Sequence, residues 1–153
     1  MKRADNKSHC PVNFALESFG DPWTLLIVRD IAYFGKKTYG DFLESEEAIA
    51  TSVLASRLIA MEQKGILLKT QHPTDRRKEI YTLTEKGLDL IPVILEMSGW
   101  ATHYDPHTGA PKQFVAAVYA NRDAMFALVR ETVQAGGSIF VGPNSVVRKM
   151  AAQ

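Results

Sequence analysis

Two short basic runs and two serines are the side chains of this chain best suited to chemistry. The basic runs are Lys36 and Lys37, and Arg76, Arg77 and Lys78. Cations grouped in this way suit contact with phosphate groups. Between the runs, Ser52 and Ser56 are spaced to share one face of a helix, and their hydroxyls can hydrogen-bond to base edges in a groove. This combination predicts binding to double-stranded DNA, with the cations on phosphates and the helix on bases.

The two serines need a helix to present them, and the segment from Thr51 to Lys64 is predicted to form it. Its apolar residues recur at i, i+4 and i+7 and make one stripe for a core: Leu54, Leu58 and Met61. Thr51 is the predicted N-cap, and Gly65 ends the helix because glycine adopts the left-handed conformation without strain. The opposite face is polar and begins with small residues, so it can approach a groove closely.

Elements on either side of this helix position it. Thr38 and Asp41 fit a capping-box pattern and open a shorter helix. Residues 66–72 and 78–83 are predicted strands, joined by a basic turn at 73–77. Two helices followed by a basic-tipped hairpin describe a winged helix-turn-helix, in which one helix enters the major groove and we expect the hairpin tip to lie on the backbone.

The rest of the chain is predicted to be helical, so the fold class is mainly α with a small β-hairpin. Pro11 and Pro22 each stand at the first position of a helix. After the hairpin, a helix starts near Thr84, and Pro92 should kink it or shift its start. A second long helix is predicted from about Gln113 to Gln134, followed by a partly apolar tail. We expect a winged helix-turn-helix domain with dimerisation helices at 10–102, and a helical extension for dimerisation or packing at 103–153.

The amino-acid composition limits the classes of protein to which this chain can belong. Apolar residues make up 46% and charged residues 23% of 153 residues, which is typical of a globular protein. The net charge of +1 is low for a nucleic-acid binder, so any basic surface must be local. The absence of a long apolar run argues against a membrane span or a secretory signal, and a single cysteine suits the cytoplasm. Without a glycine-rich phosphate loop or a recognisable nucleophile beside a base, neither an enzyme nor a cofactor is predicted.

Several blocks of residues resemble a known family. They are Cys10-Pro11-Val12, Gly20 to Asp30, Ile49-Ala50-Thr51, Val53-Leu54, Arg57-Leu58, Glu62, Gly65-Ile66, Tyr81 and Leu83 to Gly87. In order and spacing they resemble HxlR-type winged-helix transcriptional regulators over about Cys10 to Trp100. The turn from Thr74 to Lys78 is more like the wing of MarR-type regulators, and Ala101 to Gln153 extends past the usual family end.

The resemblance implies a cytoplasmic bacterial regulator that binds a palindromic operator as a homodimer. It also implies a dimer interface built from the first helix and the helix after the wing. In some members a cysteine matching Cys10 senses oxidants or electrophiles, so the effector would be an oxidant or a small molecule. The other interpretation of Cys10 is a small buried hydrophobic residue.

The predicted DNA-binding residues combine the helix face with the flanking loops. They are Lys36, Lys37, Thr38, Tyr39, Thr51, Ser52, Ala55, Ser56, Arg57, Arg76, Arg77 and Lys78. Arg57 can contact phosphate or pair with an acid inside the domain, and Tyr39 can reach a phosphate or simply pack. His103, Asp105 and His107 have metal-ligand residue types, but in a Pro- and Gly-containing loop they are read as polar surface, so no metal is predicted. The near-neutral charge also leaves open a winged-helix protein-interaction module that does not bind DNA.

Overall fold

The helix starts follow from capping residues and prolines. In a computed structural model that describes residues 7–153, α1 (Pro11–Phe19) and α2 (Pro22–Phe34) both begin at proline, as predicted. The Asp21 carboxylate accepts hydrogen bonds from the backbone amides of Trp23 and Thr24, at 2.9 Å each. These bonds satisfy two donors that have no partner within the helix.

The helix-turn-helix and its hairpin follow α2. The elements are α3 (Tyr39–Leu43), α4 (Thr51–Gln63), β1 (Leu67–Gln71) and β2 (Glu79–Leu83). The capping box of α3 is present, with Thr38 and Asp41 bonding reciprocally. The strands pair antiparallel with Leu67 opposite Leu83. The mainly helical fold with one two-stranded hairpin is therefore confirmed.

The predicted N-cap of α4 is wrong by one residue. The cap is Ala50, which offers no side-chain hydrogen bond, and Thr51 is the first helical residue. The chain enters α4 through a tight turn in which Ala48 has a φ of 52° and Ile49 is buried. The burial of Ile49 and this turn set the direction of entry, rather than a threonine hydroxyl.

Beyond the hairpin, α5 (Glu85–Leu88) leads into α6 (Ile91–Tyr104). Thr84 caps α5, and its hydroxyl accepts a hydrogen bond from the Gly87 amide at 3.1 Å. Pro92 lies in the first turn of α6, where a missing N–H leaves no bond unmade. The predicted shift of the helix start is therefore confirmed.

The predicted single helix from Gln113 to Gln134 is wrong. Instead α7 (Lys112–Ala120) and α8 (Arg122–Gln134) meet at Asn121, and a short α9 (Val146–Ala151) follows. Asn121 has non-helical backbone angles, and its side chain accepts a hydrogen bond from the Ala124 amide at 3.1 Å. An asparagine that caps the second helix cannot also continue the first.

One hydrophobic core runs through the described residues and crosses the predicted boundary at 102–103. The side chains of Val28 and Ala32 in α2 are fully buried, as are Val129, Ile139 and Val146 of the extension. The extension also hydrogen-bonds to the end of α2, because the Ile139 amide donates to the Ala32 carbonyl at 2.9 Å and the Phe140 amide to the Tyr33 carbonyl at 3.0 Å. The extension thus packs on its own chain and caps α2.

Candidate nucleic-acid interface

The side chains of α4 divide between the core and solvent as the sequence predicts. Leu54, Leu58 and Met61 are buried. Thr51, Ser52, Ala55 and Ser56 are all exposed. Because the buried stripe fixes the rotation of the helix, its small polar residues form a free surface at the N-terminal half. A surface of this kind can approach nucleic-acid bases without steric obstruction.

Two exposed apolar side chains of α4 were missed by the sequence analysis. Ile59 is 56% exposed and Val53 is 36% exposed. Ile59 follows Ser52 and Ser56 at i+7 and i+3, so it continues their face of the helix. The sequence signal for Ile59 was its spacing of seven residues from Ser52. The prediction named only the hydroxyl-bearing residues of this face and so left Ile59 out. Apolar side chains in a groove can contact the methyl group of thymine.

Tyr39 links α3 to α4 through a hydrogen bond and does not extend into solvent. Its hydroxyl donates to the Thr51 carbonyl at 2.9 Å, and its side chain is half-buried. Of the two interpretations of this residue, the structure places it in a packing role. The bond also fixes the first turn of α4 relative to α3.

The tip of the hairpin is ordered by its own hydrogen bonds. The Gln71 side-chain amide donates to the Arg76 carbonyl at 2.8 Å and to the Lys78 carbonyl at 3.0 Å. The Arg77 side chain is 90% exposed, with its Nε 3.1 Å from an Asp75 carboxylate oxygen. That hydrogen bond from Arg77 is the main reason that the pKa of Asp75 is lowered. Within residues 7–153, Arg76 and Lys78 form no ion pair, so both cations are free for an outside anion.

The two predicted lysines before α3 have different environments. Lys36 Nζ lies 2.7 Å from the Ser45 hydroxyl and 3.5 Å from the buried Asp30 carboxylate. Lys37 Nζ donates to the Gly136 carbonyl of the extension at 3.3 Å. The structure therefore joins Lys36 to an internal network and Lys37 to the extension, and the two ammonium groups do not form one patch.

An internal ion network links α2 to the turn before α4. The Arg29 side chain hydrogen-bonds to Asp30 and to Glu47, with Nη2 3.0 Å from Glu47 Oε2. The hydrogen bond from Arg29 lowers the pKa of Glu47 to about 2. The sequence signal for this network was the adjacent pair Arg29 and Asp30 in α2, a helix that is otherwise mostly apolar. Because it fixes the segment that leads into α4, it positions the candidate interface without belonging to it.

A second exposed surface is apolar and lies on α1 and α6. Its large exposed side chains are Val12, Phe14, Leu16, Met97, Trp100 and Tyr104. A groove of about 670 Å³ between α1, α2 and α6 is lined mainly by apolar residues such as Leu25 and Val93. Cys10, at the N-cap of α1, is exposed, so the interpretation of this residue as a buried hydrophobe is wrong. Proline at the next position starts α1 at the protein surface.

The described residues were compared with what a metal ion and a membrane-spanning helix require. Across residues 7–153 there is no group of three or more His, Cys, Asp or Glu side chains that could hold a metal ion; the His103 ring instead packs edge-on against Tyr104. Every helix in this part of the chain is too short or too polar to cross a bilayer.

Comparison with known proteins finds similarity to helix-turn-helix transcriptional regulators. A family model described as HxlR-like helix-turn-helix matches residues 18–108. Rv3095, an uncharacterized HTH-type transcriptional regulator of Mycobacterium tuberculosis, is 35% identical over 100 residues, which are 65% of this chain and 62% of Rv3095. The chain thus spans less than two thirds of the mycobacterial relatives that it matches. The HTH-type transcriptional regulator YodB of Bacillus subtilis is 35% identical over 96 residues, or 62% of this chain and 85% of YodB.

Solved structures with the same fold include two regulators. The reduced form of YodB from B. subtilis superposes with a TM-score of 0.52 at 31% identity and covers 66% of this chain and 100% of that one. The oxidized form of the redox regulator HypR has a TM-score of 0.55 at 26% identity and covers 63% of this chain and 98% of that one. Residues 109–153 lie outside the matched family region.

Proposed function

The chain belongs to the HxlR-like helix-turn-helix family, and on that premise we propose that it is a sequence-specific DNA-binding regulator of transcription that acts as a homodimer. The observation that carries this proposal is the exposed N-terminal half of α4. Its small polar residues stand free, because Leu54, Leu58 and Met61 hold the other face in the core. In winged helix-turn-helix proteins this helix reads base edges in the major groove.

The hairpin supplies the electrostatic part of the interaction. Arg76, Arg77 and Lys78 are exposed at its tip, and we assign them to phosphate contacts. Such contacts position a protein on the duplex and carry little sequence information. A net charge of +1 is compatible with this assignment, because a few local cations are enough for positioning. Specificity then comes from α4, through Ser52, Ser56 and the neighbouring Ile59.

We propose that the apolar surface on α1 and α6 is the homodimer interface. Trp100 and Tyr104 are about two-thirds exposed and their rings lie 5.1 Å apart. Exposed aromatic side chains in contact with apolar neighbours are typical of protein interfaces. A homodimer presents two copies of α4, which suits a palindromic operator with half-sites about one helical turn apart or a multiple of it.

Cys10 is our proposed redox-responsive residue. HypR is described as a redox regulator, and Cys10 is exposed at the start of α1, which belongs to the proposed dimer surface. Oxidation or adduct formation there would add bulk at the start of α1 and, through the dimer, alter the separation of the two α4 helices.

The test of this assignment is the variant Cys10→Ser. It should still bind DNA but should no longer release DNA when treated with a quinone or peroxide. Release that persists in this variant would exclude Cys10 as the sensor. A cytoplasmic location accords with this assignment.

The proposed function is tested by measuring DNA binding against salt concentration, with duplexes selected from a random-sequence library. Counterion release predicts that log K falls linearly with log salt. Arg76→Ala with Arg77→Ala should weaken binding to all sequences and flatten the slope. Ser56→Tyr should change the sequence preference or block docking, with Gln113→Tyr on the exposed surface of α7 as the matched control. A chain that selects no DNA at physiological salt would instead be a protein-interaction module.

A further inference from the structure

The extension forms a cavity against the end of α2 that the proposed function does not use. It has a volume of about 570 Å³, which is in the range of small-molecule sites. Its walls come from the end of α2 and the residues that follow it, the end of α8, the loop before α9 and α9 itself. The lining residues that matter here are Phe34, Lys37, Gly136, Val141, Asn144 and Lys149. Since the family match ends at residue 108, most of this cavity is a property of the extension.

The charged groups of this cavity are all positive. Lys37 and Lys149 are the titratable residues of the described lining, which contains no aspartate or glutamate. Lys37 Nζ donates to the Gly136 carbonyl at 3.3 Å, and Lys149 Nζ to the Thr132 hydroxyl at 2.9 Å. Neither ammonium forms an ion pair with a carboxylate in residues 7–153. The hydrogen-bond acceptors of both ammonium groups are therefore neutral oxygens.

The ends of two helices offset part of this positive charge. α2 ends at Phe34 and α8 at Gln134, beside the cavity. The C-terminus of a helix carries about half a negative charge, so the two ends offset roughly one of the two lysine charges. Part of the positive charge of the two lysines therefore remains. This remaining charge favours an anion.

The remaining lining residues include two whose amides have no hydrogen-bond partner among the described residues and two with exposed apolar side chains. The amides of Gly142 and Asn144 donate no hydrogen bond to any residue in the described part of the chain. Gly142 has a φ of 95°, which only glycine adopts without strain. The Phe34 side chain is 40% exposed and that of Val141 is 53% exposed. An occupant with an apolar body would cover both of these side chains.

We propose that this cavity binds a small organic carboxylate with an apolar or aromatic body. The carboxylate lies between Lys37 and Lys149, and the body lies against Phe34 and Val141. The same Lys37 is joined to the helix-turn-helix, because its amide donates to the Asp41 carboxylate at 3.0 Å and its carbonyl accepts from the Tyr81 amide at 2.8 Å. The cavity thus shares a residue with the element that holds α3 and the hairpin together.

The test uses benzoate, added to the ¹⁵N-labelled full chain at constant ionic strength and followed by NMR. We expect saturable shifts at the amides of Gly136, Gly142 and Asn144, with a Kd on the order of 1 mM or below for so small a probe. Lys149→Gln should weaken binding about tenfold, because hydrogen bonds to charged groups are the stronger ones. Arg148→Gln makes the same charge change on the neighbouring residue, outside the cavity lining, and should leave the Kd unchanged.

Two further probes separate the parts of the proposal. Benzyl alcohol keeps the ring and removes the charge, and acetate keeps the carboxylate and removes the ring; both should bind at least several-fold more weakly than benzoate. Equal binding of either probe, no saturable shifts with benzoate, or equal effects of Lys149→Gln and Arg148→Gln would overturn the proposal. Because no DNA is present, failure here is distinct from failure of the proposed DNA-binding function.

Discussion

Arg57 of α4 lies against Asp21 at the start of α2, with Nη1 3.3 Å from Oδ2. The same carboxylate accepts hydrogen bonds from the amides of Trp23 and Thr24 and, at 2.6 Å, from the Thr24 hydroxyl. Of the two roles open to Arg57 from the sequence, the structure shows pairing with an acid inside the domain. The candidate DNA-reading helix is thereby joined to the N-terminus of the central helix.

A double-mutant cycle on this pair should give a measurable coupling. Both side chains are about one quarter exposed, so we expect a coupling free energy of about 0.5–1 kcal/mol from Arg57→Gln and Asp21→Asn. Asp21→Ala should lose about 1 kcal/mol more, because it removes the cap of α2. Urea unfolding of the four proteins measures the coupling. Additive single effects would mean that Arg57 is free for phosphate after all.

Glu47 should make stability depend on pH. Its pKa is about 2 in the folded chain against an ordinary 4.5, chiefly because Arg29 hydrogen-bonds to it. A depressed pKa stabilises the folded state above pH 4.5, and this contribution is lost as pH falls towards 2. Since the side chain is about one third exposed, we expect Glu47→Gln to cost about 1 kcal/mol at pH 7 after allowance for solvent screening. The cost should at least halve at pH 3, as measured by urea unfolding; an equal cost at both values would contradict the assignment.

The parts of this fold that local chemistry decides were predictable from sequence. Two helix starts could be predicted from Asp21 before Pro22 and from the pair Thr38 and Asp41. In both cases a side chain accepts hydrogen bonds from backbone amides within three residues that would otherwise have no partner. The apolar stripe of α4 was equally clear. The break at Asn121 was not, because the apolar period of α7 and α8 continues across it and hides a cap inside one pattern.

Side-chain partners were the least predictable part of the candidate site. Lys36 and Lys37 are adjacent in sequence, yet one contacts Asp30 and Ser45 and the other reaches Gly136. Gly136 lies 99 residues from Lys37, and Asp30 and Ser45 lie on the two sides of Lys36 in neighbouring elements, so no regular spacing reveals these partners. The hairpin tip was easier, because a turn of polar residues between two strands must lie at the surface.

Gly87 should tolerate no side chain. A Cβ at this position would lie 2.3 Å from the Ile66 carbonyl oxygen, which belongs to the backbone and cannot move away cheaply. We expect Gly87→Ala to reduce the free energy of unfolding by about 2 kcal/mol or more through overpacking. Gly109→Ala is the matched control, since a Cβ there meets nothing within 4 Å. Thermal unfolding that gave equal loss for both variants would show that the close approach of α5 to Ile66 is wrong.

Lys36 and Lys78 should differ in their effect on DNA binding, although both were predicted to contact phosphate. Lys36 Nζ is committed to Ser45 and to the buried Asp30 carboxylate, whereas Lys78 is exposed at the hairpin tip without an ion pair among residues 7–153. Lys78→Ala should reduce the slope of log K against log salt by about one unit. Lys36→Ala should leave the slope unchanged and instead lower the free energy of unfolding, because the Asp30 carboxylate loses one of its cationic partners. Fluorescence anisotropy across a salt series measures the slope, and urea unfolding measures stability. If Lys36→Ala reduced the slope as much as Lys78→Ala, the ammonium of Lys36 would leave Asp30 when DNA binds.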